Sequence, residues 1–283
     1  MNSLWMIAAS LAYAAMGACI KLAAAENVPV AQITFYRCLL SLGAVYVILR
    51  MSAIPIATPY WRAHLTRSVT GVGSLAAYYT AVSLLPLATA TTLNYTTPLF
   101  VAMAMLAIGA WRLRVDMLVA LAAGLLGTAL MLSPSLDASQ WWGATLAAAS
   151  AVLGAGSILS IRSLGQFNEP TWRTVFYFSL LATILTFPWY LSSLPWERLP
   201  SAGAWLLVLG IGATATVGQL FATIAYQKGD TLVAASLGYS QVIFASVLGL
   251  WLWSELPAGQ AWIGMALIVA SGLATTLRSG GGR

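Results

Sequence analysis

Charged side chains are scarce in this sequence. Only 7% of its 283 residues are charged, whereas a soluble globular domain carries about 25%. One core could not hide the 60% of residues that are hydrophobic, because surface-to-volume scaling leaves large areas exposed. The exposed surface must therefore contact lipid, which excludes a soluble globular domain.

Histidine and cysteine are nearly absent. The one histidine, His64, lies at the boundary of an apolar run, while Cys19 and Cys38 lie inside such runs. Cysteines in this setting indicate neither a disulfide framework nor a metal site, and we interpret them as small buried hydrophobic residues. The sequence also lacks a Walker-type glycine-rich loop and a nucleophile–base pair. We therefore predict a protein that is not an enzyme, with no catalytic residue, metal, cofactor or ATP-driven step.

The apolar runs are long and unbroken. This favours transmembrane helices over the short alternating strands of a barrel. A window of about twenty residues predicts an all-α integral membrane protein with ten transmembrane helices, at residues 4–23, 30–49, 65–85, 88–109, 116–133, 141–161, 172–192, 203–226, 231–252 and 260–277.

Lys and Arg are distributed unevenly between the predicted loops. Every second predicted loop belongs to a set that holds only Arg198, with Lys21 near a helix end, whereas the loops between them hold most of the Lys and Arg residues. By the positive-inside rule we expect a multi-pass protein of the inner (plasma) membrane with both termini in the cytoplasm. The scattered charges form no basic stripe, so no nucleic-acid partner is expected. The positively charged set of loops, together with the C-terminus, holds Arg50, Arg62, Arg67, Arg112, Arg114, Arg162, Arg173, Lys228, Arg278 and Arg283.

The two halves of the sequence resemble each other. When Asn94–Phe100 is placed over Gly238–Phe244, the neighbouring small residues and turns also align. We therefore predict two related units, residues 1–137 and 138–283, with five helices each. An odd number of helices places the units in opposite orientations. This inverted repeat is common in secondary transporters, which bind their substrate near the bilayer midplane.

Short motifs in both halves resemble the drug/metabolite transporter superfamily, in particular its EamA-type ten-helix members. The resemblance is clearest from Leu84 through Pro86 to Pro98, and in Asp230–Phe244 followed by Glu255 and Gly264. Two departures are Trp111, where the second half has Glu255, and Val242, opposite Pro98. The resemblance implies alternating access, often export of amino acids or related metabolites. It also implies a central cavity lined by the first, third, fourth, sixth, eighth and ninth helices.

Arg37 is a charged residue well inside the second predicted helix. Its guanidinium stays charged and can bind a carboxylate through two parallel hydrogen bonds. The alternatives are an ion pair with Glu26 and snorkelling to the periplasmic face. Lys21 presents the same choice between substrate recognition and a structural role.

Polar side chains form stripes on the fourth and ninth predicted helices, and we expect the two stripes to meet near the midplane. Intramembrane polar groups normally face a cavity or a partner, so the alternative role is hydrogen bonding between helices. With Arg37, the predicted substrate-binding residues are Tyr13, Tyr78, Tyr79, Thr91, Asn94, Tyr95, Gln219, Ser236, Tyr239, Ser240 and Gln241.

Acidic residues are missing from the middle of every predicted span. An obvious intramembrane proton relay is therefore lacking, and we expect facilitated transport or exchange, with proton coupling through other residues left open. The leading hypothesis is a monomeric secondary transporter that exports a small molecule across the lipid bilayer. An importer of the same fold is the near alternative, and a channel or an intramembrane enzyme are alternatives from other classes.

Overall fold

The protein is a bundle of helices. The computed structural model describes residues 2–85, 87–109, 115–132, 140–192, 201–254 and 259–280, and these ranges contain no strand. Pro86, Trp111, Asp137 and Glu255, the loop residues Arg112, Arg114, Glu197, Arg198 and Arg283, and the Arg278 side chain lie outside the described residues. After a single helical turn at Asn2–Leu4, the helices are α1 (Trp5–Ala25), α2 (Val30–Met51), α3 (Trp61–Leu84), α4 (Leu87–Asn94), α5 (Thr97–Ala107), α6 (Val115–Leu132), α7 (Trp141–Gln166), α8 (Thr171–Ser192), α9 (Ala202–Lys228), α10 (Thr231–Leu237), α11 (Ser240–Trp253) and α12 (Gly259–Gly280).

Eight helical segments in the described ranges, with α10–α11 counted as one, are long and apolar enough to cross a membrane. The other two predicted spans fall short for physical reasons. Helix α3 carries Arg62, His64 and Arg67 in its first two turns. The fourth predicted span, which is divided into α4 (8 residues) and α5 (11 residues), carries Thr91, Asn94 and Thr97 among its apolar residues. The ninth is also divided, into α10 and α11, but is apolar enough to be counted.

The outer surface of the bundle is apolar. On α6, Val119 is exposed and Leu121 is completely buried, although both are aliphatic. A helix that is hydrophobic on all sides has apolar surroundings on all sides, which places lipid against the outer faces. Trp61 and Trp141, at the ends of α3 and α7, are exposed, as expected for side chains at a membrane–water interface.

The closest helix pairs connect the two halves of the chain. Helix α3 packs against α7, α1 against α9, α2 against α8, and α6 against α12. The first member of each pair precedes the predicted boundary near residue 137, and the second follows it. The largest core cluster likewise combines Met6, Val101 and Leu232. The two halves are therefore interleaved in one bundle.

Two glycines allow α6 and α12 to cross closely. A Cβ added at Gly264 would lie 2.5 Å from the carbonyl oxygen of Gly127, and one added at Gly127 would lie 2.6 Å from that of Gly264. The Ser271 hydroxyl on α12 also donates to the Ala120 carbonyl at 2.6 Å. Small residues that let two backbones touch are a common basis of helix association in membranes.

Replacing Gly264 with Ala is expected to lower the unfolding temperature of the detergent-purified protein by several degrees. The free energy of unfolding should fall by about 1–3 kcal/mol, the typical cost of forced overpacking. The added methyl group would meet backbone, which cannot rotate away. Gly43→Ala in α2 is the matched control, because nothing lies within 4 Å of the added Cβ. Equal unfolding temperatures for the two variants would contradict this account of the α6–α12 crossing.

Candidate functional site

A cavity of about 510 Å³ lies in the centre of the bundle. Its volume is in the range of small-molecule sites, roughly 300–1,000 Å³. Helices α1, α3, α7 and α9 and the broken pairs α4–α5 and α10–α11 line it, joined by Arg37 from α2 and Phe178 from α8. The six spans expected from the family resemblance thus all reach the cavity.

Most of the predicted binding residues lie on the cavity wall. They are Tyr13, Arg37, Tyr78, Tyr79, Thr91, Asn94, Tyr95, Gln219 and Gln241.

Ser236, Tyr239 and Ser240 are not on the wall, contrary to the expectation of a single polar stripe. The Ser236 hydroxyl pairs with that of Ser271 on α12 at 3.0 Å. Tyr239 is fully buried, with its ring where a side chain at Gly124 would be. The Ser240 hydroxyl donates to the carbonyl of Leu237. A stripe at helical spacing requires one continuous helix, and the break between α10 and α11 interrupts it.

The first break lies at Tyr95–Thr96, between α4 and α5. Pro98 has no N–H, so it cannot donate to the carbonyl of Asn94, four residues earlier. The Thr97 hydroxyl donates to that carbonyl instead, at 2.6 Å. The Thr96 hydroxyl donates to the carbonyl of Leu93 at the same distance. The Thr97 hydroxyl therefore satisfies the Asn94 carbonyl, whereas the Leu93 carbonyl also accepts from the Thr96 N–H.

The second break lies at Gly238–Tyr239, between α10 and α11. Here Val242 has an N–H, which donates to the Tyr239 carbonyl three residues earlier instead of continuing the α-helical pattern. The rings of Tyr95 and Tyr239 approach to 6.0 Å between centroids. The two breaks therefore meet beside the cavity, which places irregular backbone where it is tolerated within a membrane.

A hydrogen-bond network holds the α4 side of the cavity. Asn94 Nδ2 donates to Ser150 Oγ at 2.7 Å, and Ser150 Oγ and the Ser74 carbonyl are 2.8 Å apart. The hydroxyls of Tyr78 and Thr91 are also 2.8 Å apart. These bonds join α3, α4 and α7, so this wall is positioned before any substrate binds. Sequence reasoning missed Ser74 and Ser150.

Arg37 reaches the cavity and does not pair with Glu26. Its guanidinium lies close to Tyr79 and Tyr13. The exposed Glu26 carboxylate instead accepts a hydrogen bond from the Ser201 hydroxyl at 3.4 Å. Of the alternatives left open by the sequence, the ion pair is therefore wrong.

Arg67 also lines the cavity, which corrects its assignment to a cytoplasmic loop. Helix α3 begins at Trp61, earlier than predicted, so Arg67 lies in its second turn. Its guanidinium lies over the Phe178 ring, 4.1 Å from the centroid, in the space that a side chain at Gly71 would need. The spacing of Arg67, Gly71 and Ser74 on one helical face was the signal that could have identified it.

Among the residues that the structure describes, the cavity wall contains two arginines and no Asp or Glu. In the ranges that the structure covers, neither Arg37 nor Arg67 forms an ion pair. An uncompensated positive charge in a low-dielectric site attracts anions strongly. The chemistry of the wall therefore suits a ligand with negative charge.

A second polar cluster lies outside the cavity, between α3 and α8. The Glu169 carboxylate accepts hydrogen bonds from Arg173 at 2.8 Å and from the Thr58 hydroxyl, and His64 lies 3.6 Å away. Arg173 also donates to the Pro55 carbonyl at 2.9 Å. Arg173 is thus buried in α8, although the sequence placed it in a loop. Breaking a buried ion pair is strongly destabilising, so this cluster fixes the segment before α3 against α8.

Lys21 and the two cysteines also lie off the cavity wall. The Lys21 ammonium is 4.2 Å from the centroid of the Trp253 ring, a cation–π contact that favours its structural role. Both thiols are free; Cys38 is buried as expected, whereas Cys19 is half-buried.

Similar proteins agree on one class. A "Pseudopaline exporter" of Pseudomonas aeruginosa is 28% identical over 271 residues, covering 95% of this chain and 93% of its own. A "Riboflavin transporter" of Rhizobium johnstonii is 27% identical over 275 residues, covering 96% and 89%. A solved crystal structure has the same fold, with a TM-score of 0.87 and 21% identity over 98% of this chain and 96% of its own.

The family match covers both halves of the chain, over residues 1–133 and 141–277. Its name and those of the relatives describe membrane transporters rather than enzymes. The chain belongs to the EamA-like transporter family.

Proposed function

We propose that this transporter is a secondary carrier that exports a small carboxylate-bearing metabolite, an amino acid or a related compound, by alternating access. The observation that carries the proposal is the cavity at the junction of two broken helices, with Arg37 on its wall and no acidic residue beside it. Corresponding broken helices in two halves of a transporter commonly form its substrate site.

The proposed topology has ten spans in two inverted repeats of five. Several observations support it. The pairing of α3 with α7 corresponds to that of α9 with α1, as expected for a two-fold relation between halves. Asn27 and Asn168 end α1 and α7 in the same left-handed conformation, and a proline follows two residues after each. Helix α3 and the α4–α5 pair supply the two spans beyond the eight apolar segments.

Both termini are proposed to face the cytoplasm, because Arg50, Arg162 and Lys228 lie at ends of helices that share this side in the ten-span topology. Cysteine labelling tests the orientation in a chain whose Cys19 and Cys38 are replaced by Ala. An impermeant maleimide is expected to label Ala25→Cys in intact cells and Met51→Cys only after permeabilisation; both residues are exposed. The reverse pattern would invert the proposed topology.

Export is favoured because one relative is named an exporter; relatives named only as riboflavin transporters leave import as the alternative. A channel would need rings of charge or a carbonyl filter, whereas the charged groups on the described wall are two arginines. The described wall has no acidic residue and no histidine, so it does not suit the acid–base chemistry of an intramembrane enzyme. Residues of one chain line the cavity, so we propose that a monomer is functional.

Counterflow into liposomes tests the transport function. Purified protein in liposomes preloaded with unlabelled amino acids is expected to take up labelled amino acid in a saturable, competable way, because exchange keeps the cavity occupied in both directions. Liposomes without protein and liposomes without internal substrate are the controls. Absence of saturable flux for every amino acid and related carboxylate screened would contradict the proposed function. Flux measured in sealed vesicles of known protein orientation distinguishes export from import.

Arg37→Ala is expected to reduce the apparent affinity for the transported carboxylate by about 10- to 100-fold, since hydrogen bonds to charged groups contribute about 1.5–3 kcal/mol. Arg37→Lys should recover part of the loss, because Lys retains the charge without the planar fork. The readout is the concentration dependence of counterflow. If both variants show unchanged uptake and competition, Arg37 has only a structural role.

A further inference from the structure

Arg67 is a buried cation with an unsatisfied polar group. It is 7% exposed, and its Nε has no hydrogen-bond partner. Its only described contact with a compensating group is the Phe178 ring. The guanidinium remains charged in proteins, and a cation–π contact offsets only part of the desolvation of a buried charge. Because Arg67 also lines the cavity, a ligand there would meet a guanidinium that no carboxylate of the described wall neutralises.

The second guanidinium shares the cavity with the first. Tyr13 interacts electrostatically with both Arg37 and Arg67, and all three residues line the cavity. Because no acidic residue is among the described residues of the wall, neither positive charge has a carboxylate partner there. One carboxylate at Arg37 would leave the charge of Arg67 uncompensated.

The rest of the wall is apolar. Met16, Ile20, Leu75 and Ile158 face the same cavity, whose volume far exceeds that of an inorganic anion. Such a wall suits a carbon framework between the charged groups, since ligand pockets combine apolar surface with a few placed polar groups.

We propose that the substrate is an organic dianion, with one carboxylate bound by Arg37 and a second anionic group bound by Arg67. The proposal deepens the proposed function and rests on the same cavity. Each guanidinium presents a planar fork of donors that matches a carboxylate, and the two together neutralise a doubly charged ligand. Arg67 is thereby a specificity residue that separates dianionic from monoanionic substrates.

Direct binding to the detergent-purified wild-type protein tests the proposal without requiring transport. Succinate, glutarate and adipate are compared with their monomethyl esters, and binding is read from the rise in unfolding temperature with ligand concentration. For at least one chain length the diacid is expected to bind about tenfold more tightly than its monoester, or better. Equal affinities at every length would overturn the proposal. So would inorganic phosphate binding as tightly as the best diacid, because the site would then recognise charge alone.

Arg67→Met removes the charge and keeps an unbranched apolar side chain. It is expected to abolish the preference for the diacid, because the affinity for the diacid falls much more than that for the monoester. Arg62→Met is the matched control: Arg62 lies on the same helix, 5.4 Å from the centroid of the Trp61 ring, and outside the cavity. This control should retain the preference. If Arg67→Met also retains it, Arg67 acts only through its contact with Phe178.

If the Met variant fails to fold, Arg67→Lys, which keeps the charge, serves in its place. This variant should still bind the diacid more tightly than its monoester. Loss of all preference in a folded Lys variant would require another explanation for the wild-type result and would overturn the role of the Arg67 charge. Counterflow separates this proposal from the proposed function. Flux of amino acids without any preference for diacids would contradict the dianion proposal and support the proposed carrier function. Binding of diacids without any flux would contradict the carrier function and support the dianion site.

Discussion

Every backbone N–H and C=O inside a bilayer needs a hydrogen-bond partner, because hydrocarbon offers none. This constraint determines where the bundle can be irregular. The breaks at Tyr95–Thr96 and Gly238–Tyr239 lie beside the cavity and against each other, and the Thr97 and Ser240 hydroxyls donate to the carbonyls of Asn94 and Leu237. A break on the lipid-facing side would place irregular backbone in hydrocarbon, which offers no further partner. The cavity and the breaks therefore depend on one another.

The two breaks are supported in different ways. Around the first, Asn94 is tied to α7 through Ser150, so polar bonds hold the wall. Around the second, the Tyr239 ring lies against α6 at Gly124, and Ser236 is bonded to α12. The crossing helices α6 and α12 thus hold the α10–α11 pair in place. Because their crossing depends on backbone contact at two glycines, its geometry has little freedom to change, and motion during a transport cycle would have to occur elsewhere.

The sequence predicted the positions of the helices well because hydropathy reports lipid contact directly; each predicted span overlaps helix, although the fourth and ninth are each divided into two helices. It predicted Tyr13, Asn94 and Gln219 on the cavity wall for the same reason: intramembrane polar groups need a cavity or a partner. Which of these two a residue has is a matter of tertiary structure. Ser236 found a partner on α12, across a break that no helical spacing reveals. Arg67 was missed because the positive-inside rule counts arginines near predicted helix ends, and α3 starts earlier than its hydropathy indicates.

The charge of the cavity connects recognition to the transport cycle. In alternating access the site is closed to both sides at some point, and water that screens Arg37 and Arg67 is then largely excluded. Two unscreened positive charges in a low dielectric raise the energy of that closed state, and the part of the wall that the structure describes has no acidic residue to neutralise them. A bound anionic substrate lowers this barrier, whereas the empty carrier faces it in full. On the proposed mechanism the loaded carrier therefore changes sides faster than the empty one. On this proposal, exchange would follow from the same two side chains that are proposed to select the substrate, without a separate coupling site.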